Sequence, residues 1–277
     1  MNGKIFYIRF LCLFFSMLFL QGVLFGQKND TLQNLIKPKN RIYVIAHRGA
    51  HQGIPENSIP AYQKAIDLGC DFVEIDIRTT KDGRFVSVHN STIDNYVIGK
   101  AGNVKELTLA EIKGLDIGEK LAEKWKGTQI PTLEEILKLC KGKIGIYLDL
   151  KDAPVPELMK IIGEYDMEND VVWYIPFSQI ARLENSGNLF GNSWLMPDPQ
   201  NESNLKELLE TGKFKIIATD MDVLTPAFIG EAHKKGAMVF VDEKEGNKAE
   251  WQKMTDWGCN GIQTDKPADL IEMLKQK

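Results

Sequence analysis

The stretch FVEIDIRTTKDGRFVSVH, Phe72 to His89, decides how the rest of the chain is read. Strand side chains alternate between faces, so Val73, Ile75 and Ile77 form one apolar set and Glu74 and Asp76 share the opposite face. Asp82-Gly83 is a hairpin turn signal, and residues 85–89 are β-like again with no room for a helix before them. The second run therefore returns antiparallel beside the first. Folding about Asp82-Gly83 brings His89 back level with about Asp76, so a histidine reaches a strand end that already carries two carboxylates.

Working outward, this hairpin is the one interruption in a regular alternation. Strand-like runs lie at 42–46, 72–77, 144–150, 171–175, 193–196, 216–219, 238–241 and 261–264. Helical patterns lie at 59–68, 133–139, 155–164, 178–185, 205–211 and 226–235, and 267–277 closes the chain. Eight strands alternating with helices predict an α/β fold, a (β/α)8 TIM barrel. A doubly wound open sheet is the second reading, but its Gly-rich dinucleotide turn is missing. Residues 90–129 lack a barrel strand and read as an inserted lid or substrate-binding segment after the second-strand hairpin. The 277 residues then hold a single barrel domain over 41–277.

A hydrophobic fraction of 43% suits a globular core, and a net charge of -4 gives no support for a nucleic-acid partner. Lys4 and Arg9 precede an apolar run at 11–20 that is short for a spanning helix. This is the layout of a secretory signal, expected over 1–26 and cleaved near Gln27, with a polar tether at 27–40. The expected mature chain is exported, periplasmic or extracellular, with no stable membrane span. Cys70, Cys140 and Cys259 have no framework or metal-site spacing and read as buried free thiols.

Two inward carboxylates are costly unless a cation compensates them. A hard divalent metal with oxygen ligands does so, and an ion pair with Lys or Arg is the competing reading. Asp149 and Lys151 fall on the polar face of the next barrel strand, so Glu74, Asp76 and Asp149 gather at one end of the barrel. His47 and Arg48 end the first strand. Two imidazoles, His47 and His89, can share acid and base roles, and an arginine suits a phosphate oxygen. Together these residues point to metal-assisted phosphoryl chemistry. His51 reads as a solvated loop residue, Asp265 as a cap for the last helix, and Asp220 or Asp222 as either a mouth residue or a helix cap.

The ordered motifs resemble those of the glycerophosphodiester phosphodiesterases. They are His47-Arg48-Gly49 followed by Pro55-Glu56-Asn57-Ser58, then Glu74-Ile75-Asp76, Thr80-Lys81-Asp82-Gly83 and Val86 to His89-Asn90. Further on come Ile130 to Glu135, Asp149-Leu150-Lys151 and Gly261 to Pro267. The resemblance spans Arg41 to the C-terminus. It implies a TIM barrel, one divalent metal ion (calcium or magnesium), and hydrolysis of a small glycerophosphodiester to glycerol 3-phosphate and an alcohol. It further implies His47 and His89 as the catalytic pair and Arg48 and Lys151 on the phosphate. Glu74, Asp76 and Asp149 would bind the metal, with Glu56 as a fourth ligand or a close neighbour of the ligands. The chain departs from the family pattern with Asp149 for Glu, Asn90 for Asp and Ser58 for Thr. It also has Val239-Phe240-Val241-Asp242-Glu243 where many members carry Trp-Thr-Val-Asn, which changes the wall expected around the glycerol or alcohol group. A phospholipase C-like or D-like lipid or inositol phosphodiesterase, and a non-catalytic phosphodiester-binding barrel, are the alternatives.

Overall fold

The computed structural model describes residues 35–184, 189–191 and 193–276. The expected signal segment and the start of the expected tether lie outside them. Eight strands make the main sheet: β1 (Tyr43–Ala46), β2 (Phe72–Thr79), β4 (Gly145–Leu150), β5 (Val171–Pro176), β6 (Trp194–Asp198), β7 (Ile216–Asp220), β8 (Met238–Asp242) and β9 (Gly261–Thr264). Their order is β6-β5-β4-β2-β1-β9-β8-β7, every paired neighbour is parallel, and the end strands β6 and β7 lie side by side. This is a nearly closed TIM barrel, as the alternation predicts.

Hydrogen-bonding side chains start most of the helices. Ser58 caps α1 (Ile59–Leu68), Thr108 and Thr132 form capping boxes on α2 (Leu109–Lys113) and α3 (Leu133–Cys140), and Thr225 caps α7 (Pro226–Lys234). The remaining helices are α4 (Val155–Glu164), α5 (Phe177–Glu184), α6 (Glu202–Glu210), α8 (Lys248–Trp257) and α9 (Pro267–Lys275). The helical patterns read from the sequence do not include α8. Trp251 and Met254 are its only buried residues, so its apolar stripe is too thin to register as a period. Cys70, Cys140 and Cys259 are free and buried, and burial pushes their thiols up to about 12.

The hairpin forms as the sequence dictates. β3 (Phe85–Ser87) pairs antiparallel with β2, with Ile77 opposite Ser87 and Thr79 opposite Phe85. Gly83 turns the chain at φ 73°. Val88 N–H then donates to the Asp76 carbonyl at 2.9 Å, which sets His89 beside the upper end of β2. Residues beyond β3 fold on an apolar cluster of their own that includes Val88, Ile93, Val104, Ile112 and Ile130. Trp125 Nε1 ties this insertion to the Gly53 carbonyl in the β1–α1 loop at 2.6 Å.

Inside the barrel the lower half is closed by aromatic rings. Tyr43 lies 5.8 Å from Phe72 and 5.1 Å from Phe240, ring centre to ring centre, and Leu35 packs against this cluster. Gly145 and Gly261 leave the space these rings occupy. A Cβ on Gly145 would sit 2.5 Å from two Phe72 ring carbons and 2.8 Å from Ile36. Gly145→Ala is therefore expected to destabilise the fold by about 1–3 kcal/mol through overpacking. A urea melt with an unchanged midpoint would refute this picture of the interior. No helix among the described residues is long and apolar enough to cross a membrane.

Candidate active site

The upper end of the barrel carries the polar residues. β1 delivers His47 and Arg48, then the chain leaves sharply through Arg48 (φ 51°) and Gly49 (φ 81°). A Cβ on Gly49 would come within 2.8 Å of the Ala61 backbone, so only glycine lets this turn pack on α1. Asn57 also takes a left-handed conformation (φ 47°), and this aims its amide inward.

Glu74 and Asp76 on β2 are 2% and 1% exposed, and Asp76 stands in register with Asp149 on β4. Ligand oxygens from Glu74, Asp76 and Asp149 all lie within 4.8 Å of one another. Burial and then the neighbouring Asp76 and Asp149 carboxylates hold the Glu74 carboxyl well above the usual range. Burial likewise pushes Asp149 up, against the pull of Lys151. Asp76 is drawn down despite burial, because Lys151, the Asn57 amide and His89 favour its charge. Lys151 Nζ sits 3.0 Å from Asp76 and 2.5 Å from Asp149, and Arg48 Nε is 3.7 Å from Asp76. The expected ligand set and the competing ion pair thus occupy the same place. Two buried hard-oxygen donors and a half-buried third, whose charges burial and mutual repulsion make costly, suit a divalent cation.

A buried network holds Asp76. Asn57 Nδ2 donates to Asp76 Oδ2 at 2.7 Å, while Asn57 Oδ1 accepts from Tyr62 (2.8 Å) and Ser87 (2.9 Å). Glu56 lies outside the three-carboxylate group and pairs with Arg48 at 3.2 Å. Arg48 N–H in turn donates to Glu74 Oε2 at 2.6 Å.

The two expected catalytic histidines arrive by different routes, one at the end of β1 and the other after β3. His47, 6% exposed, bonds through Nδ1 to Asp265 Oδ1 at 2.6 Å. His89 bonds through Nδ1 to Asn90 Oδ1 at 3.0 Å and influences the charge of both Asp76 and Asp149. Arg78 fixes the His89 backbone, since its Nη2 donates to the His89 carbonyl at 2.6 Å and its Nη1 pairs with Asp152 at 3.0 Å.

Two sequence readings are corrected here. His51 is not a solvated loop residue, because its Nε2 meets Asp265 Oδ1 at 3.0 Å. Asp265 does not cap the last helix. Lys266 holds the N-cap position of α9 without a side-chain bond, and the Asp265 carboxylate serves both imidazoles instead. Burial works against ionisation of Asp265, but the bonds from His47 and His51 outweigh it and hold the carboxyl well below its usual range. His47, His51 and Asp265 also have ligand atoms within 4.8 Å of one another. The short His47–Asp265 bond, however, matches a histidine held for proton transfer. Arg78 and Asn57 are further residues that sequence reasoning gave no separate role.

The groove beside Arg48, Glu56, Asn90 and Tyr96 is bordered by the insertion through Ile117 and Lys120. On the other side of the carboxylates the barrel mouth opens into a second cavity over β5–β8.

A parallel barrel that gathers three carboxylates, imidazoles and two basic side chains at its upper end suits hydrolysis of a phosphate ester. The sequence model of the Glycerophosphoryl diester phosphodiesterase family matches residues 47–175. A glycerophosphodiester phosphodiesterase of Caldanaerobacter subterraneus subsp. tengcongensis is 33% identical over 256 residues, covering 84% of this chain and 98% of that protein. One of Bacillus subtilis is 28% identical over 88% of this chain and 89% of its own length. Among solved structures, an Oleispira antarctica phosphodiesterase in complex with the product sn-glycerol-3-phosphate superposes with a TM-score of 0.75 at 20% identity, covering 84% of this chain and 96% of that one. The chain belongs to the glycerophosphodiester phosphodiesterase family and is a phosphoric diester hydrolase.

Proposed function

We propose that this enzyme hydrolyses small glycerophosphodiesters to glycerol 3-phosphate and an alcohol, with one divalent cation, calcium or magnesium, and two-histidine proton transfer. The observation that carries the reading is the meeting of Glu74, Asp76 and Asp149 within 4.8 Å at the strand end that also carries Arg48 and Lys151. Glu74, Asp76 and Asp149 would hold the cation, which would supply positive charge against the phosphate oxygens. Arg48 and Lys151 are placed to hold phosphate oxygens beside these carboxylates. Glu56 keeps Arg48 aimed at the site.

His47 takes the proton from the nucleophile, which is water or the neighbouring glycerol hydroxyl. Its Nδ1 is engaged by Asp265, so Nε2 faces the reaction and the carboxylate stabilises the ring once protonated. His89, whose Nδ1 rests on a neutral amide, gives its proton to the leaving oxygen. Attack by the hydroxyl forms a cyclic phosphate, which water then opens. Asp265→Asn should lower kcat by about 10²-fold or more with little change in KM, because the amide can hold the wrong tautomer of His47. Equal kcat in the variant would remove Asp265 from the mechanism.

The reading is tested by incubating the protein with glycerophosphocholine and, separately, with phosphatidylcholine and phosphatidylinositol vesicles. Glycerol 3-phosphate released from the deacylated substrate supports it. Headgroup release from the lipids alone would favour the phospholipase-like alternative.

A further inference from the structure

Resting on the hydrolytic reading above, we propose that the cavity over β5–β8 receives the leaving alcohol and selects a positively charged one, an amino alcohol carrying an ammonium group. The cavity has a volume of about 560 Å³. It adjoins the carboxylate cluster, because Asp149 stands in register with Tyr174 of the cavity wall. An alcohol leaving a phosphate held at Asp149 therefore has this space beside it.

The lining is strongly acidic. Seven carboxylates face a single ammonium, that of Lys244, which is spent on Asp242 Oδ2 at 3.1 Å. β6, β7 and β8 each end in an aspartate, Asp198, Asp220 and Asp242, so the charge is built into the strand ends. Among the described residues Asp198 accepts from neutral donors, the Tyr174 hydroxyl at 2.8 Å and the Gln200 N–H at 3.0 Å. Asp220 accepts the N–H groups of Asp222 and Val223. Such a mouth repels a second anionic group on the substrate and attracts a cationic one.

Acidic charge alone would not make this a binding site. Gln263 on β9 is only 5% exposed, lines the same cavity, and has no hydrogen-bond partner for Oε1. Asp242 Oδ1 is also buried and unpartnered. Buried acceptors left unpaired are costly, and a primary ammonium has N–H groups to offer them, whereas a quaternary ammonium brings only its charge and methyl groups to the acidic, aromatic wall. Tyr147 and Tyr174, stacked at 6.1 Å and 18°, together with Phe240, add aromatic surface of the kind that favours alkylammonium groups.

The test is kcat/KM on glycerophosphoethanolamine, glycerophosphocholine and glycerophosphoglycerol, followed as glycerol 3-phosphate release. The cationic substrates should exceed the neutral one by at least about tenfold. Asp198→Asn combined with Asp242→Asn should collapse that ratio toward unity. Equal values in the wild type, or an unchanged ratio in a folded double variant, would overturn the proposal. Should the double variant not fold, inhibition of the wild type decides. Choline should inhibit at least about tenfold more tightly than its neutral isostere 3,3-dimethylbutan-1-ol, and equal inhibition would overturn the proposal. No release from any substrate would sink the hydrolytic reading, whereas equal release from all three sinks only the selection of charge.

Discussion

His47→Ala and His89→Ala should each lower kcat for glycerophosphodiester hydrolysis by about 10²–10⁴-fold, the range of a positioned general acid or base. The two rings are held by separate devices, so each effect should be local. Asp265 engages His47, and the Asn90 amide engages His89, whose backbone is clamped by Arg78. His47 is buried and bonded to Asp265, so circular dichroism should first establish that each variant is folded before kcat is compared. KM should change little, since phosphate binding is left to Arg48 and Lys151. The double variant should lose far less than the product of the single losses, because the two groups serve one proton-transfer cycle. Near-wild-type kcat in both single variants would remove the two-histidine mechanism.

The second large effect is expected at Asp76. Its carboxylate faces Lys151 at 3.0 Å, accepts from Asn57 at 2.7 Å and belongs to the three-carboxylate group. Asp76→Asn keeps the shape and removes the charge. Affinity for calcium or magnesium should fall by at least about 100-fold, and kcat should fall with it. A readout independent of activity is available, because a ligand bound only by the folded state raises Tm in proportion to RT ln(1 + [L]/Kd). Saturating metal should raise the Tm of the wild type and leave that of the variant unmoved. Equal shifts in both proteins would place the ion elsewhere.

Much of this fold is legible locally. The stretch from Phe72 to His89 carries its own register, because a period of two and a single Asp-Gly turn allow one hairpin. The carboxylates follow from the same alternation, since Val73, Ile75 and Ile77 must pack under the helices and so turn Glu74 and Asp76 inward. Other features lie beyond local reading for physical reasons. Strands inferred from apolar runs stop where the apolar residues stop, yet β6, β7 and β8 run on into Asp198, Asp220 and Asp242, and these polar ends form the mouth. α8 escapes because only Trp251 and Met254 are buried. The meeting of His47 and His51 with Asp265 spans more than two hundred residues and exists only because β1 pairs with β9. Asp265 is visible as part of the Gly261 to Pro267 motif, but nothing near it in sequence shows that its carboxylate serves two imidazoles rather than a helix cap. Asn57 is visible as part of a motif, but its left-handed conformation and its grip on Asp76 emerge only in three dimensions.

The measurement closest to the central claim is glycerol 3-phosphate release from glycerophosphocholine by the wild-type protein, before and after exhaustive chelation and again after adding back calcium or magnesium. Loss of activity on chelation and its return with one of the two ions is the predicted result. Full activity retained in the stripped protein would contradict a metal role for Glu74, Asp76 and Asp149.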